Sequence, residues 1–151
     1  MSKRILFAVS LVSALTLLCA PAAAAHAPQW GKGNLVADGD GIASLRGEGK
    51  IDLTGNGILW VRAGPNAVIE VSGYGHKQVF PDGWEQYAGF NGTAHIVAGW
   101  MHTVVSGVGV HLEASGRGAV VLWGHGSYQW NGQGGSWANG DLGTTLEITE
   151  D

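Results

Sequence analysis

Residues Gly39 to Gly73 read GDGIASLRG (39–47), GEGKIDLTG (47–55), GNGILWVRAG (55–64) and PNAVIEVSG (65–73), short β-type runs punctuated by glycine at a near-constant interval. A second run, Gly92 to Gly132, repeats the texture: GTAHIVAG, WMHTVVSG, VGVHLEASG, RGAVVLWG and HGSYQWNG. In the first run Ala43, Leu45, Ile51, Leu53, Leu59, Val61, Ile69 and Val71 share one parity and are apolar. Between them stand Ser44, Arg46, Lys50, Asp52, Arg62 and Glu70. Successive strand side chains leave on opposite faces, so this alternation describes strands with one buried face. No long window keeps a helical period without a glycine interruption, and helices are expected to be scarce.

Each Gly-x-Gly is read as a three-residue hairpin loop, a length that wants one residue with positive φ. A loop at Gly47-Glu48-Gly49 sets Leu45 opposite Ile51, one at Gly55-Asn56-Gly57 sets Leu53 opposite Leu59, and one at Gly64-Pro65-Asn66 sets Val61 opposite Ile69. The second run gives the pairs Ile96 with Val104, Val104 with Leu112, Leu112 with Leu122, and Leu122 with Tyr128. Every junction puts apolar opposite apolar, as cross-strand pairing requires. The expected fold is all-β, an antiparallel up-and-down meander of about ten short strands closed as a barrel or a two-sheet sandwich. The alternative is a β-solenoid or β-roll with eight-residue strands, since Leu45, Leu53, Val61 and Ile69 recur every eight positions. Strands this short, and the acidic ending Glu147-Ile148-Thr149-Glu150-Asp151, argue against a membrane barrel.

The first 25 of the 151 residues read as a secretory signal peptide: basic Lys3 and Arg4, apolar Ile5 to Leu18, and small residues Ala22 to Ala25 before a cleavage point at His26. The expected product is secreted or periplasmic, a single domain spanning 26–151. Two glycine-punctuated blocks (39–73 and 92–132) flank an aromatic-rich insertion (74–91). The sole cysteine, Cys19, lies in the signal segment, so the mature chain carries no disulfide. Without Lys3 and Arg4 the eight basic residues fall to six against twelve acidic ones, and the formal net charge moves from −4 to −6. Sparse, scattered bases on an acidic chain argue against a nucleic-acid partner. No later apolar run is long enough to span a bilayer, so no membrane span is expected in the mature chain.

Catalytic motifs are missing. There is no cysteine nucleophile and no G-x-S-x-G elbow, and the Gly-x-Gly triplets open no helix that could cradle phosphate. Asp82 and Glu85 are the one carboxylate pair worth weighing for glycoside hydrolysis. His95 and His111 share a face but stand one strand apart, about 9–10 Å, beyond the reach of a common zinc ion. His102 is placed on the apolar face and His125 at a turn. Asp38-Gly39-Asp40-Gly41 begins like a calcium loop but lacks the distal ligands. Neither a metal nor a cofactor is implied.

The aromatics carry the functional expectation. The insertion YGHKQVFPDGWEQYAGFN (74–91) breaks the glycine spacing and crowds Tyr74, Phe80, Trp84, Tyr87 and Phe90 around the turn Pro81-Asp82-Gly83. Trp60 and Trp123 fall on the polar face. Asp52, Trp60 and Glu70 are expected in one cross-strand row and His111 and Trp123 in another. Trp84, Tyr87, Phe90, Trp60 and Trp123 are therefore the candidate ligand-binding residues, the competing role for the insertion rings being closure of the core. The glycine-alternating texture is loosely similar to that of bacterial adhesins, and no residue is carried over from that likeness. The expected role is structural or interactive, at the cell surface, with another protein or a carbohydrate as partner. A small-ligand or carbohydrate-binding barrel is second, and a hydrolytic enzyme third.

Overall fold

The structure, a computed structural model, describes residues 33–140 and 143–148; the signal segment, Cys19 and the first mature residues lie outside them. Among the described residues every regular element is a strand: β1 (Gly33–Ala63), β2 (Val68–Ser72), β3 (His76–Val79), β4 (Glu85–Trp130), β5 (Gln133–Ser136) and β6 (Thr144–Ile148). All six belong to one sheet whose strand pairs are antiparallel. The all-β expectation holds, but the short-strand meander does not.

None of the expected loop triplets is a hairpin loop. Gly47-Glu48-Gly49 and Gly55-Asn56-Gly57 lie inside β1, and Gly107-Val108-Gly109, Gly116-Arg117-Gly118 and Gly124-His125-Gly126 lie inside β4. Gly99-Trp100-Met101 is likewise within β4. Only Gly64-Pro65-Asn66 interrupts a strand, with Asn66 at φ 65°. Even there the chain does not reverse, because Ala63 pairs with Met101 and Val68 with Val97 along the same edge of β4. β1, β2 and β3 thus form one long arm and β4 the other. The true reversal is Phe80 to Trp84, where the Phe80 amide donates to the Trp84 carbonyl and the Gly83 amide to the Phe80 carbonyl.

This hairpin winds on itself. Leu35 pairs with Ala114 and with Trp130, Ala114 also pairs with Ile51, and Ile51 also pairs with Ile96. Leu35 and Ile51 therefore flank the same β4 residue, and the chain returns two strands along after one turn of roughly 50 Å of strand. Expected partners are replaced accordingly. Leu45 faces Thr103 and Val120 instead of Ile51, Leu53 faces Ala94 and Leu112 instead of Leu59, and Ile96 faces Ile51 and Ile69 instead of Val104.

Glycines mark the corners of each turn. Gly124, Gly41, Gly107 and Gly57 stand side by side in one column, and Gly33, Gly116 and Gly49 in a second. The two columns divide the sheet into two panels. The first holds 34–38, 50–54, 68–72, 93–97, 111–115 and 127–130; the second holds 42–46, 58–62, 76–79, 85–88, 102–106 and 119–123. β4 slips one residue against β1 between Ala88 and Phe90, between Ala98 and Met101, and between Gly107 and Val110, as β-bulges do. Those slips move the buried set from Ala98 to Met101 and from Val105 to Val110, which is why Val104 ends on the outside.

One hydrophobic core takes side chains from both panels, among them Leu35, Leu53, Ile96 and Leu112 from the first and Leu45, Leu59, Val61, Val105 and Leu122 from the second. Among the described residues two sheet edges stay open, β2–β3 at one end and β5–β6 at the other. The second edge begins with a tight reversal at Asn131-Gly132, both at positive φ, as a two-residue hairpin demands. Among the described residues no helix is long and apolar enough to cross a membrane.

Candidate functional site

Inward positions are spent on the core, so chemistry is confined to the outward side chains of the two panels. On the first panel Glu113, Asp52, His95 and Glu70 form one cross-strand row, and Asp38, His111, Thr54, Thr93 and Ser72 the next. His95 Nδ1 lies 2.6 Å from Asp52 Oδ1, and Lys50 Nζ lies 2.7 Å from Asp52 Oδ2. The hydrogen bond with His95, then that with Lys50, holds the Asp52 pKa below the usual carboxylate value. His111 Nδ1 lies 2.5 Å from Asp38 Oδ1, and Nε2 lies 3.3 Å from Glu113 Oε1. The Asp38 contact chiefly raises the His111 pKa, against an opposing effect of burial. Asp52, Glu70, His95, His111 and Glu113, together with Leu53, Ile69, Val71 and Ala94, line an open concavity of about 690 Å³. Among the described residues, no three His, Cys, Asp or Glu side chains converge as a metal ligand set.

The second panel presents rings and guanidinium groups instead. Arg46 and Arg62 both pair with His102, so the three form one row across adjacent strands. Arg46 Nε–H donates to His102 Nε2 at 3.3 Å, and Ser44 Oγ is 3.2 Å from the same nitrogen. Burial first, then the charges of Arg46 and Arg62, push the His102 pKa down. The hairpin tip folds over this row. Phe80 stacks on Trp60 at 5.4 Å, Trp84 meets Trp60 edge-on at 6.3 Å, and Trp84 also meets the His102 ring at 4.8 Å. Arg62 lies 5.7 Å from the centre of the Trp100 ring.

Of the expected ligand-binding residues, Trp60 and Trp84 come together on this surface. Tyr87 and Phe90 do not join them: they are 3% and 0% exposed and belong to the core. Tyr87 donates from its hydroxyl to Glu85 Oε2 at 2.6 Å, and burial together with that carboxylate pushes its pKa up to about 12. Trp123 is on the second panel, but in the outward row with Ile42, Ser106 and Ile58 rather than with the other rings.

Several placements differ from expectation. His102 is on the outer face, not the apolar one. Asp52 and Glu70 share a row as expected, with His95 between them, but Trp60 leaves it to neighbour Gln86 and Val104, and His111 neighbours Asp38 and Thr54 rather than Trp123. Asp82 Oδ1 accepts from the Trp84 amide, whereas Glu85 is engaged by Tyr87 and Lys77. Arg46, Arg62 and Trp100 are not among the expected site residues, and His102 is expected only as a histidine of the apolar face. The spacing of Arg46 and Arg62, one coil apart, is the signal that would have joined them. No family model matches the chain, and no curated protein or solved structure is similar to it.

Proposed function

We propose that this chain is an extracytoplasmic, non-enzymatic β-domain that works as a rigid interaction module, displaying its two outer panels to a partner in the cell envelope. One arrangement carries the reading: the interior is filled, with Tyr87 and Phe90 sealing it beneath the hairpin tip, while the aromatic, cationic and imidazole groups face outward. A ligand-binding barrel needs an interior cavity of about 300 Å³ or more lined by those rings, whereas Tyr87 and Phe90 are packed into the core and Trp60 and Trp84 lie on the outer face. A hydrolase needs two opposed carboxylates, and Glu85 is tied to Tyr87 and Lys77. The architectural part of the proposal is that the two panels close on each other as a sandwich-like roll, supported by the single core to which both contribute. Export rests on the signal-peptide layout of residues 1–25.

The test is expression of the full chain with a C-terminal tag in a bacterial host, followed by fractionation and co-sedimentation. The expected product begins at His26, lies outside the cytoplasm, and pellets with isolated cell envelopes in native but not in denatured form. An unprocessed cytoplasmic chain overturns the export assignment, and a mature chain that stays in the supernatant overturns the interaction role.

A further inference from the structure

We propose that Arg46, His102 and Arg62, with Trp60 and Trp84 beside them, form a binding site for an acidic saccharide, a sugar chain bearing sparse carboxylate or sulfate groups. The inference rests on the interaction reading and names the ligand of its second panel.

The coil creates the cluster. Arg46 and Arg62 are one turn apart in sequence and therefore stand on either side of His102. Two strand spacings separate their backbones, about 10 Å, and both side chains are long enough to converge on one acidic group or to hold two successive ones. Neither arginine has a carboxylate partner among the described residues, whereas Lys50 pairs with Asp52, Lys77 with Glu85, and Arg117 approaches Glu48 at 4.0 Å. In so acidic a chain, two adjacent uncompensated guanidinium groups are a local excess of positive charge. His102 adds no counter-charge; it accepts from Arg46 Nε and leaves the terminal guanidinium nitrogens to an external anion. Guanidinium forks match the planar geometry of carboxylate and sulfate oxygens.

The rings supply the second half of the recognition. Trp60 and Trp84 are half-buried and braced by Phe80 and His102, so each can offer apolar ring surface to a sugar at little cost in side-chain order. The surface is open and edged by the Trp100 ring, itself 48% exposed, which suits a chain passing across it. An anionic bilayer or a nucleic acid fits less well, because a net charge of −6 on the mature chain repels a dense polyanion.

The experiment uses the folded mature chain and follows its tryptophan indole and arginine Nε–H signals by NMR. It is titrated with tetragalacturonate, a sulfated tetrasaccharide, neutral cellotetraose, and vesicles containing anionic phospholipid. At least one acidic tetramer is expected to shift the Trp60, Trp84, Arg46 and Arg62 signals, and cellotetraose to bind at least about tenfold more weakly, about 1.4 kcal/mol. The variant R46Q/R62Q, checked for an unchanged circular dichroism spectrum and melting temperature, is expected to lose at least that tenfold. Equal binding of neutral and acidic tetramers overturns the proposal, as does undiminished binding by R46Q/R62Q. So does the absence of any shift up to about 10 mM of either acidic tetramer, or a response to vesicles alone. Should R46Q/R62Q still pellet with cell envelopes as the parent does, the interaction reading stands and this site falls.

Discussion

Gly47 and Gly118 stand opposite one another on adjacent strands, each pressed against the other's backbone. A Cβ on Gly47 would lie 2.0 Å from the Arg117 carbonyl oxygen, and one on Gly118 would lie 2.0 Å from the Arg46 carbonyl oxygen. Both obstacles are main chain and cannot swing aside without disturbing the ladder. Gly118→Ala is therefore expected to destabilise the domain by about 3 kcal/mol or more, among the larger single-site effects. Gly99→Ala serves as the control, since nothing lies within 4 Å of its Cβ position, and should stay within about 0.5 kcal/mol. Urea unfolding of the two variants decides it; equal losses would mean that the close approach of Gly47 and Gly118 does not matter to the fold.

The same glycines explain what could be read from the sequence. The inward set Ala43, Leu45, Ile51, Leu53, Leu59 and Val61 was legible because alternation survives any pairing. The register was not. A repeat of eight is even, so sliding one strand by eight or sixteen still sets apolar opposite apolar: Ile51 and Val120 satisfy Leu45 equally well. Glycine is as suited to a bend inside a strand as to a hairpin loop, and composition at Gly47-Glu48-Gly49 cannot tell them apart. The turn that organises the molecule, Phe80 to Trp84, is signalled by Pro81-Asp82-Gly83, but the same signal suits a loop within an insertion. The candidate site was half legible. Trp60 and Trp84 stood out as rings, whereas Arg46 and Arg62 become neighbours only once the coil length is known.

Lys77 protects an open edge. It pairs in register with the buried Tyr87, its Nζ lies 3.0 Å from Glu85 Oε2 and 5.1 Å from the Tyr87 ring centre, and among the described residues β3 has no strand on its outer side. A charge on an exposed edge strand makes pairing with another chain costly. Lys77→Val should promote self-association, read as a concentration-dependent rise in mass by light scattering, while the parent keeps a constant mass. A variant of unchanged mass would assign edge protection to the short strands and the break at Gly73–Gly75.

His111 should make stability depend on pH in a definite direction. Its pKa is raised in the folded state by Asp38, so its contribution is complete below the unfolded value near 6.5 and is lost as pH rises through the folded one. Asp52, lowered by His95 and Lys50, contributes above its ordinary 3.8 and loses that contribution as pH falls. His102, lowered by burial and the two arginines, opposes His111 below about 6.5. The His111–Asp38 pair is largely exposed, and its worth should be under about 1 kcal/mol and diminished by salt. His111→Gln should lower the urea midpoint more at pH 6 than at pH 8; an equal or reversed effect would remove Asp38 as its partner.

Tyr87 sets the alkaline limit. Burial and the Glu85 carboxylate keep its hydroxyl protonated to about pH 12, whereas an unfolded tyrosine ionises near 10. Stability contributed by the protonated hydroxyl is full below pH 10 and declines between 10 and about 12. Absorbance at the phenolate band should show one tyrosine titrating late or only on unfolding, and Tyr87→Phe should abolish that late component. Its persistence in Tyr87→Phe would place the late tyrosine elsewhere.

Thr103 points to a site where the fold can be improved. It lies between Leu45 and Val61 with 0% exposure, and its hydroxyl has no hydrogen-bond partner among the described residues. A buried hydroxyl without a partner costs about 1–3 kcal/mol, and valine fills the same shape without it. Thr103→Val is therefore expected to raise stability by about 1 kcal/mol, visible as a higher melting temperature. Thr103→Ser keeps the hydroxyl, loses the packed methyl and should melt lower than the parent. The pair of variants separates the hydroxyl from the methyl. If Thr103→Val melts lower as well, the hydroxyl is satisfied by a buried water bridging to the strand backbone, and the core at this point is wet.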